Sequence, residues 1–117
     1  MGANPFKDKK CVPCEAGLNP LSAAEALKLL EQTPGWELDE SGQKIIRDYT
    51  TKDFMAAVAF IQDIANVAEA EGHHPDLHLT GYRNLRVVLS THSIGGLSAN
   101  DFIVASKIGA LKVELKK

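Results

Sequence analysis

The sequence lacks the features that mark membrane proteins and nucleic-acid-binding proteins. Its longest apolar run is far shorter than the roughly 18 residues that a membrane span needs. Its formal net charge is −2, and its Lys and Arg residues are scattered rather than clustered into a basic patch. The amino-terminal residues have neither the apolar core of a secretory signal nor the composition of a transit peptide. We therefore expect a cytoplasmic protein with no membrane partner and no direct nucleic-acid partner.

Cysteine is also scarce, because the chain has only two, Cys11 and Cys14, in the motif Cys-Val-Pro-Cys. This spacing supplies half of a zinc site or a redox dithiol. No second Cys-x-x-Cys completes a ligand set, and no predicted strand precedes the pair as a thioredoxin-type motif requires. We interpret both thiols as part of an extended arm over residues 1–20, which mixes Pro, Gly, Lys and Cys without any period.

Residues 21–117 predict a single domain, because 117 residues with 44% hydrophobic content bury one modest core. Ser22, with Glu25 three residues later, is a capping box that predicts a helix to about Gln32. Two runs of strand-forming residues, 36–39 and 44–49, then predict a hairpin.

A longer helix is predicted next, with Thr51 as its cap and Asp53 in its first turn. Gly72 stands where a glycine ends a helix. Apolar residues at helical spacing predict its core face: Phe54, Ala57, Val58, Ile61, Ile64, Ala65 and Ala68. Phe60 and Val67 lie off that stripe, which indicates either burial against another subunit or a wide core stripe.

Two further strands, 76–80 and 83–91, are linked around Gly81, and Ser98 with Asp101 forms a second capping box for a last helix. The order helix, two strands, helix, two strands, helix predicts an α+β fold with a four-stranded antiparallel sheet and all helices on one face. The uncovered face and the sheet edges predict a homo-oligomer.

All four histidines, His73, His74, His78 and His92, fall in the last half of the chain. Imidazole exchanges protons readily near neutral pH, so such a cluster favours acid/base chemistry. His73 follows a helix end whose partial negative charge favours imidazolium, and a charged His73 discourages a second proton on His74. Alternating side chains place His92 on the sheet face opposite that of Leu85, Val87 and Leu89. A metal site from these histidines is the weaker alternative, because adjacent residues chelate awkwardly and no carboxylate or cysteine completes a familiar pattern.

The spaced residues Glu69, His73-His74-Pro75, Tyr82, His92 and Asp101 resemble the signature of the pterin-4a-carbinolamine dehydratases. Other positions from about residue 20 onward are similar to the family pattern: Trp36, Arg47, Tyr49, Phe54, Ala68, Thr91, Gly96, Leu97 and Ser98. Some members carry an acidic residue before the histidine pair, where this chain has Gly72. The resemblance implies a hydro-lyase that forms dimers or tetramers and needs no metal or organic cofactor. It implies dehydration of 4a-hydroxytetrahydropterin to quinonoid dihydropterin, which recycles the cofactor of aromatic amino acid hydroxylases.

The resemblance also implies roles for residues. His73, His74 and His92 would be catalytic, with His73 and His92 donating protons on opposite faces of the pterin while His74 positions the ring or acts as base. The implied substrate-binding residues are Glu69, Pro75, Tyr82 and Asp101. Glu69 alternatively orients a histidine or is a solvated helix residue, and Asp101 is explained equally by its capping box. Tyr82 would stack on the pterin or pack under its loop. His78 matches no motif position and is predicted to be exposed. Because animal relatives double as dimerisation cofactors of a transcription factor, an interaction module is the alternative function.

Overall fold

The computed structural model describes residues 20–116, and for His92 it describes the backbone alone. The predicted arm up to residue 19, including Cys11 and Cys14, lies outside the described residues, so the division into arm and domain stays a prediction. No helix in the described range is long and apolar enough to cross a membrane. The elements are α1 (Ala23–Leu30), β1 (Glu37–Leu38), β2 (Ile45–Thr50), α2 (Phe54–Glu71), β3 (Asp76–Thr80), β4 (Asn84–Leu89), a 3-10 helix (His92–Ile94) and α3 (Ala99–Gly109).

The strands form one antiparallel sheet in the order β1-β2-β4-β3. β4 is central, with Val87 opposite Arg47 of β2 and Val88 opposite Asp76 of β3. The predicted element order and the α+β class are confirmed. β4 ends at Leu89, two residues before the predicted end, because Thr91 bridges to Gly96 and the chain then turns into the 3-10 helix.

One face of the sheet is buried under the helices, and the other is open. The alternating residues Leu85, Val87 and Leu89 are buried on the covered face, whereas Arg86 between them is exposed. On β2 the ring of Tyr49 meets Phe60 of α2 edge-on, with centroids 4.8 Å apart. Such aromatic packing, beyond the burial of apolar area, fixes α2 on the sheet.

The helix caps decide where the chain enters each helix. At α1 the predicted capping box is present, because Ser22 Oγ accepts from the Glu25 N–H while Glu25 accepts from the Ser22 N–H. The prediction that Thr51 caps α2 is wrong. Asp53 is the cap and accepts from the Ala56 N–H at 2.8 Å, while the buried Thr51 hydroxyl bonds carbonyl oxygens instead.

The predicted core face of α2 is confirmed in part, because Ala57, Ile64 and Ala68 are buried. Phe60 is buried and Val67 packs partly buried against the core, so a wide core stripe, and not a second subunit, accounts for them. Phe54 and Val58, predicted to lie in the core, are exposed together with Met55. Phe54 and Phe60 both fit helical spacing, and the contact of Phe60 with Tyr49 of the sheet places Phe60 in the core.

Candidate active site

The end of α2 sets the direction in which the two adjacent histidines leave the helix. Gly72 adopts the left-handed conformation with φ 65°, which a residue without Cβ adopts at little cost. The N–H groups of Gly72 and His73 both donate to the Ala68 carbonyl, which closes the helix. Pro75 follows, and β3 begins at the next residue. His73 and His74 therefore occupy a short, constrained link between α2 and the sheet.

His73 is paired with Asp101 at the start of α3. The ring Nε2 lies 2.6 Å from Asp101 Oδ1, and the side chains are 13% and 0% exposed. The other carboxylate oxygen accepts from the Thr91 hydroxyl at 2.8 Å and from the Ser98 N–H at 2.9 Å. An ionised carboxylate only accepts, so His73 donates through Nε2–H. This leaves Nδ1 of His73 as the nitrogen that can exchange a proton with a ligand.

Asp101 is thus a buried junction, which sequence reasoning captured only in part. Its predicted capping interaction with Ser98 is present, and its side chain is buried against His73, whereas its contact with substrate stays a prediction. The pairing with His73 joins residues 28 apart in the chain, and no local pattern signals such a contact.

Thr91 is a site residue that sequence reasoning did not assign a role. The Thr91 hydroxyl donates its only proton to Asp101. In the 2.8 Å contact between Thr91 Oγ1 and Ser98 Oγ, the serine hydroxyl must therefore be the donor. Its backbone N–H and C=O also bond Gly96 and close the loop that contains the 3-10 helix. The only sequence signal was its place beside His92 in the family pattern. Thr91 links the backbone at His92 to the carboxylate that holds His73.

His74 is paired with Glu69 in an exposed setting. Its Nε2 contacts Glu69 Oε2, and the two side chains are 59% and 76% exposed. Glu69 therefore orients a histidine, which was one of the alternatives open from the sequence. Exposed ion pairs of this kind contribute about 0–1 kcal/mol to stability, so the pair sets a direction for the ring more than it holds the fold.

Two predicted residues lie apart from the histidine pair. Tyr82 is in the turn at the far end of the β3–β4 hairpin, and the five residues of β3 separate that turn from Pro75 by about 16 Å. Its ring is exposed and its hydroxyl accepts from Arg83 Nη1 at 3.3 Å, so it neither packs under the loop nor reaches the histidines of its own chain. His78 is exposed on the open face of the sheet, as predicted.

A further ion pair ties the two helices together behind the histidines. Lys107 of α3 donates to Glu71, the last residue of α2, at 2.6 Å. Both side chains are largely buried, so the charges are poorly screened by solvent. This contact holds the C-terminal end of α2, from which both histidines emerge, against α3.

The open face of the sheet carries a bidentate pair. Arg86 Nε and Nη2 donate to the two carboxylate oxygens of Asp48 at 2.8 and 3.0 Å, across directly paired positions of β2 and β4. These hydrogen bonds hold the pKa of Asp48 below its usual range. On the covered face, burial raises the pKa of the Tyr49 hydroxyl. Among the described side chains no group of three or more potential metal ligands converges.

Comparisons with known proteins bear on this site. A family model described as Pterin 4 alpha carbinolamine dehydratase matches residues 19–111. The mitochondrial pterin-4-alpha-carbinolamine dehydratase 2 of Arabidopsis thaliana is 47% identical over 109 residues, 91% of this chain and 58% of that protein. The chain thus spans little more than half of that relative. A Methylococcus capsulatus protein named for the same activity is 43% identical over 114 residues, 97% of this chain and 99% of that protein.

A solved structure has the same fold. The crystal structure of a transcriptional coactivator/pterin dehydratase from Brucella melitensis superposes with a TM-score of 0.73 and 33% identity, covering 79% of this chain and 97% of that one. The relatives include a mitochondrial protein and bacterial proteins, so the cytoplasmic location stays a prediction.

Proposed function

This chain belongs to the pterin 4 alpha carbinolamine dehydratase family, as its histidine spacing predicted, and we propose that it removes water from a 4a-hydroxytetrahydropterin. The family's reaction is that of a hydro-lyase. The observation that carries the proposal is the buried hydrogen bond, 2.6 Å long, between His73 Nε2 and Asp101 Oδ1. It holds His73 in a single orientation, with Nε2–H toward Asp101 and Nδ1 as the nitrogen that carries the donated proton.

The dehydration needs two proton transfers. The C4a–O bond breaks as the leaving hydroxyl takes a proton and departs as water. A ring N–H loses its proton, and the electrons of that bond form the C=N bond of the quinonoid dihydropterin. In the proposed assignment the leaving hydroxyl takes its one proton from a protonated His73 when it lies on one face of the ring and from His92 when it lies on the opposite face. His74 positions the ring or, as base, takes the proton of the ring N–H. The direction that Glu69 gives to the His74 ring supports that assignment.

Asp101 and Thr91 act as positioning residues in this scheme. Asp101 occupies Nε2 of His73, so Nδ1 is the atom that exchanges the proton. Thr91 holds the second oxygen of Asp101 and keeps the carboxylate from rotating. Such positioning contributes because general acid–base catalysis depends on the distance and alignment between the group and the transferred proton.

The assignment is tested by following loss of the 4a-hydroxypterin absorbance with purified protein. We expect His73→Gln to lower the rate by about 10²-fold or more, as is usual for loss of a general acid. The double variant His74→Ala/His92→Ala should abolish catalysis. His78→Ala is the matched control, because that histidine is exposed on the open sheet face and should leave the rate unchanged. An unchanged rate in the double variant would refute histidine catalysis.

We further propose that the reaction recycles the pterin cofactor of an aromatic amino acid hydroxylase. The product of dehydration, a quinonoid dihydropterin, is the form from which reduction regenerates the tetrahydropterin. Physical association with such a hydroxylase is a separate question, which co-elution of the two purified proteins would answer.

A second role as an interaction module is favoured by the start of α2. Phe54, Met55 and Val58 are all exposed there, and contiguous exposed apolar side chains mark interfaces. We propose that this surface pairs with a second copy, giving a homodimer or homotetramer, or in its place with another protein. The Brucella melitensis structure is named as a transcriptional coactivator as well as a dehydratase.

The oligomer proposal is tested by light scattering coupled to size exclusion. Met55→Glu should produce a smaller species than the unmodified protein, because burying an unpaired charge in an interface is costly. Ala70→Glu places the same charge on an exposed position near the other end of α2 and should leave the mass unchanged. A monomeric unmodified protein, or equal masses in all three proteins, would exclude this surface as a self-association site.

A further inference from the structure

A cavity far from the histidines is bordered by donors that have no hydrogen-bond partner within residues 20–116. It lies between β2, the turn before β1 and the C-terminal half of α3, with a volume of about 390 Å³. Trp36, Arg47 and Ser106 line it. Asp101 is at the opposite end of α3, and the cavity extends to Ala110, roughly 13 Å further along the helix axis. This cavity is therefore separate from the candidate active site.

Two of these residues bury polar atoms without a hydrogen bond. Trp36 is 6% exposed and Ser106 is 3% exposed, and within the described residues neither Trp36 Nε1 nor Ser106 Oγ has a partner. A buried polar group without a partner costs about 1–3 kcal/mol, so native proteins rarely retain one without a use. An acceptor in this cavity, from a ligand or from water, would satisfy both atoms.

Arg47 adds a positive charge on the covered face of the sheet. It lies on the same face of β2 as the buried Ile45 and Tyr49, and its guanidinium stacks on the Tyr49 ring with Cζ 4.6 Å from the centroid. No carboxylate in residues 20–116 forms an ion pair with it, in contrast to Arg86, which is paired with Asp48 on the open face.

Glycine makes room for this guanidinium on two sides. A Cβ at Gly35, whose φ is +94°, would lie 2.8 Å from Arg47 Cζ, and a Cβ at Gly109 would lie 3.3 Å from Nη1. Larger residues would therefore crowd the head group or push it out of the cavity.

We propose that this cavity is a binding site for an oxyanion, a carboxylate or phosphate group of a small ligand. Trp Nε1–H and the guanidinium are donors only, so their common partner must be an acceptor. The planar guanidinium matches two oxygens of a carboxylate or phosphate, and Trp36 and Ser106 supply further hydrogen bonds. This site is independent of the proposed dehydratase chemistry.

A structural use of Arg47 competes with this proposal. The carbonyl end of α3, at Gly109 and Ala110, also borders the cavity, and its partial negative charge favours a cation there. If Arg47 only compensates that charge, oxyanions will not bind and Trp36 and Ser106 will stay unpaired. The two roles therefore differ in whether the protein responds to an added oxyanion.

The single tryptophan of the chain makes the test direct, because Trp36 is the only source of indole fluorescence and it lines the cavity. Phosphate and acetate are titrated into the full chain at constant ionic strength, with chloride as the balancing ion. We expect a saturable fluorescence change and a rise in the thermal midpoint with phosphate, acetate or both. The oxyanion that gives the stronger response shows whether the ligand group is a phosphate or a carboxylate.

Arg47→Met should weaken this response at least tenfold, and Ser106→Ala should weaken it by a smaller factor. Arg86→Met is the matched control, since it removes an arginine of the neighbouring strand on the opposite face and should leave the response intact. Equal responses in the two arginine variants, or a response to chloride of the same size, would overturn the proposal. Because the folded unmodified protein is titrated first, absence of any saturable change in it would also overturn the proposal, whatever the stability of the variants.

Discussion

His73 and His74 are neighbours in the chain, yet their rings meet opposite environments. The carboxylate partner of His73 is inaccessible to solvent, whereas His74 and its partner Glu69 are both more than half exposed. Solvent and salt screen the second pair and hardly reach the first. Two identical side chains therefore differ in how much their ion pairs contribute to stability, and the cause is burial, which the order of residues in the chain does not reveal.

The largest effect is expected when the buried partner is removed. Asp101→Ala leaves the donors of His73, Thr91 and Ser98 without their acceptor and should lower the free energy of unfolding by about 3–5 kcal/mol. Urea denaturation measures the loss. Asp101→Asn is the milder control, because the amide retains one acceptor oxygen. It should unfold at higher urea than Asp101→Ala but still reduce dehydratase turnover about 10²-fold. A variant Asp101→Asn with full turnover would remove Asp101 from the positioning role.

An intermediate effect is expected for the largely buried pair between α2 and α3. Lys107→Ala removes the donor to Glu71 and should lower the free energy of unfolding by about 1–3 kcal/mol. Lys112→Ala, at an exposed position just beyond α3, is the matched control and should change stability by less than about 0.5 kcal/mol. If the two substitutions lower the free energy of unfolding equally, the burial of the Lys107–Glu71 pair does not make it more stabilising than an exposed lysine.

A small effect is expected at the exposed histidine. Glu69→Gln should lower the free energy of unfolding by no more than about 0.5 kcal/mol, because both members of the pair are solvated. Turnover should fall less than in Asp101→Asn. Glu31→Gln removes an equal charge from an exposed site at the end of α1 and controls for net charge. Should Glu69→Gln reduce turnover as much as Asp101→Asn, the contrast between the two histidines would not extend to catalysis.

The smallest effect, and one that depends on pH, is expected on the open sheet face. Arg86 holds the folded-state pKa of Asp48 below its usual value of about 4, so the pair stabilises the fold above that pH. The stabilisation is lost as the pH falls through the lowered pKa. Both side chains are more than half exposed, so Asp48→Asn should cost less than about 1 kcal/mol at pH 7 and a smaller amount at about pH 3. The urea midpoints of both proteins at the two pH values measure this difference. A loss of stability in Asp48→Asn that became larger at the lower pH would contradict the prediction.

Much of the fold follows from local pattern. The capping boxes at Ser22 and Ser98, the glycine at the end of α2 and the alternation along β4 are contacts between residues a few positions apart. Each can be predicted because its partner is visible in a short window of sequence.

The predictions that are wrong concern places where two nearby residues are equally suited to the same structural role. Thr51 and Asp53 can both cap a helix, and the Thr51 hydroxyl is instead taken by the carbonyl of Arg83, 32 residues away. Phe54 and Phe60 both fit helical spacing, and the contact with Tyr49 selects Phe60 for the core.

The candidate site shows the same limit. The histidine spacing identified the family, but it did not show which histidine would be buried. Asp101 was predicted from its cap, and its contact with His73 required the packing of α3 against the end of α2. Tyr82 was predicted to lie at the site because it belongs to the spaced motif, whereas the hairpin register places it at the far end of β3.

The position of Asp101 in the chain has a consequence for biosynthesis. Translation proceeds from the amino terminus, so both adjacent histidines are made 27 or more residues before Asp101 (101 − 74 = 27). Until α3 has been synthesised and has folded onto the end of α2, His73 has no fixed partner. The pairing of His73 with Asp101 therefore forms only after α3 has left the ribosome, and a chain interrupted before α3 would contain the histidine pair without this carboxylate.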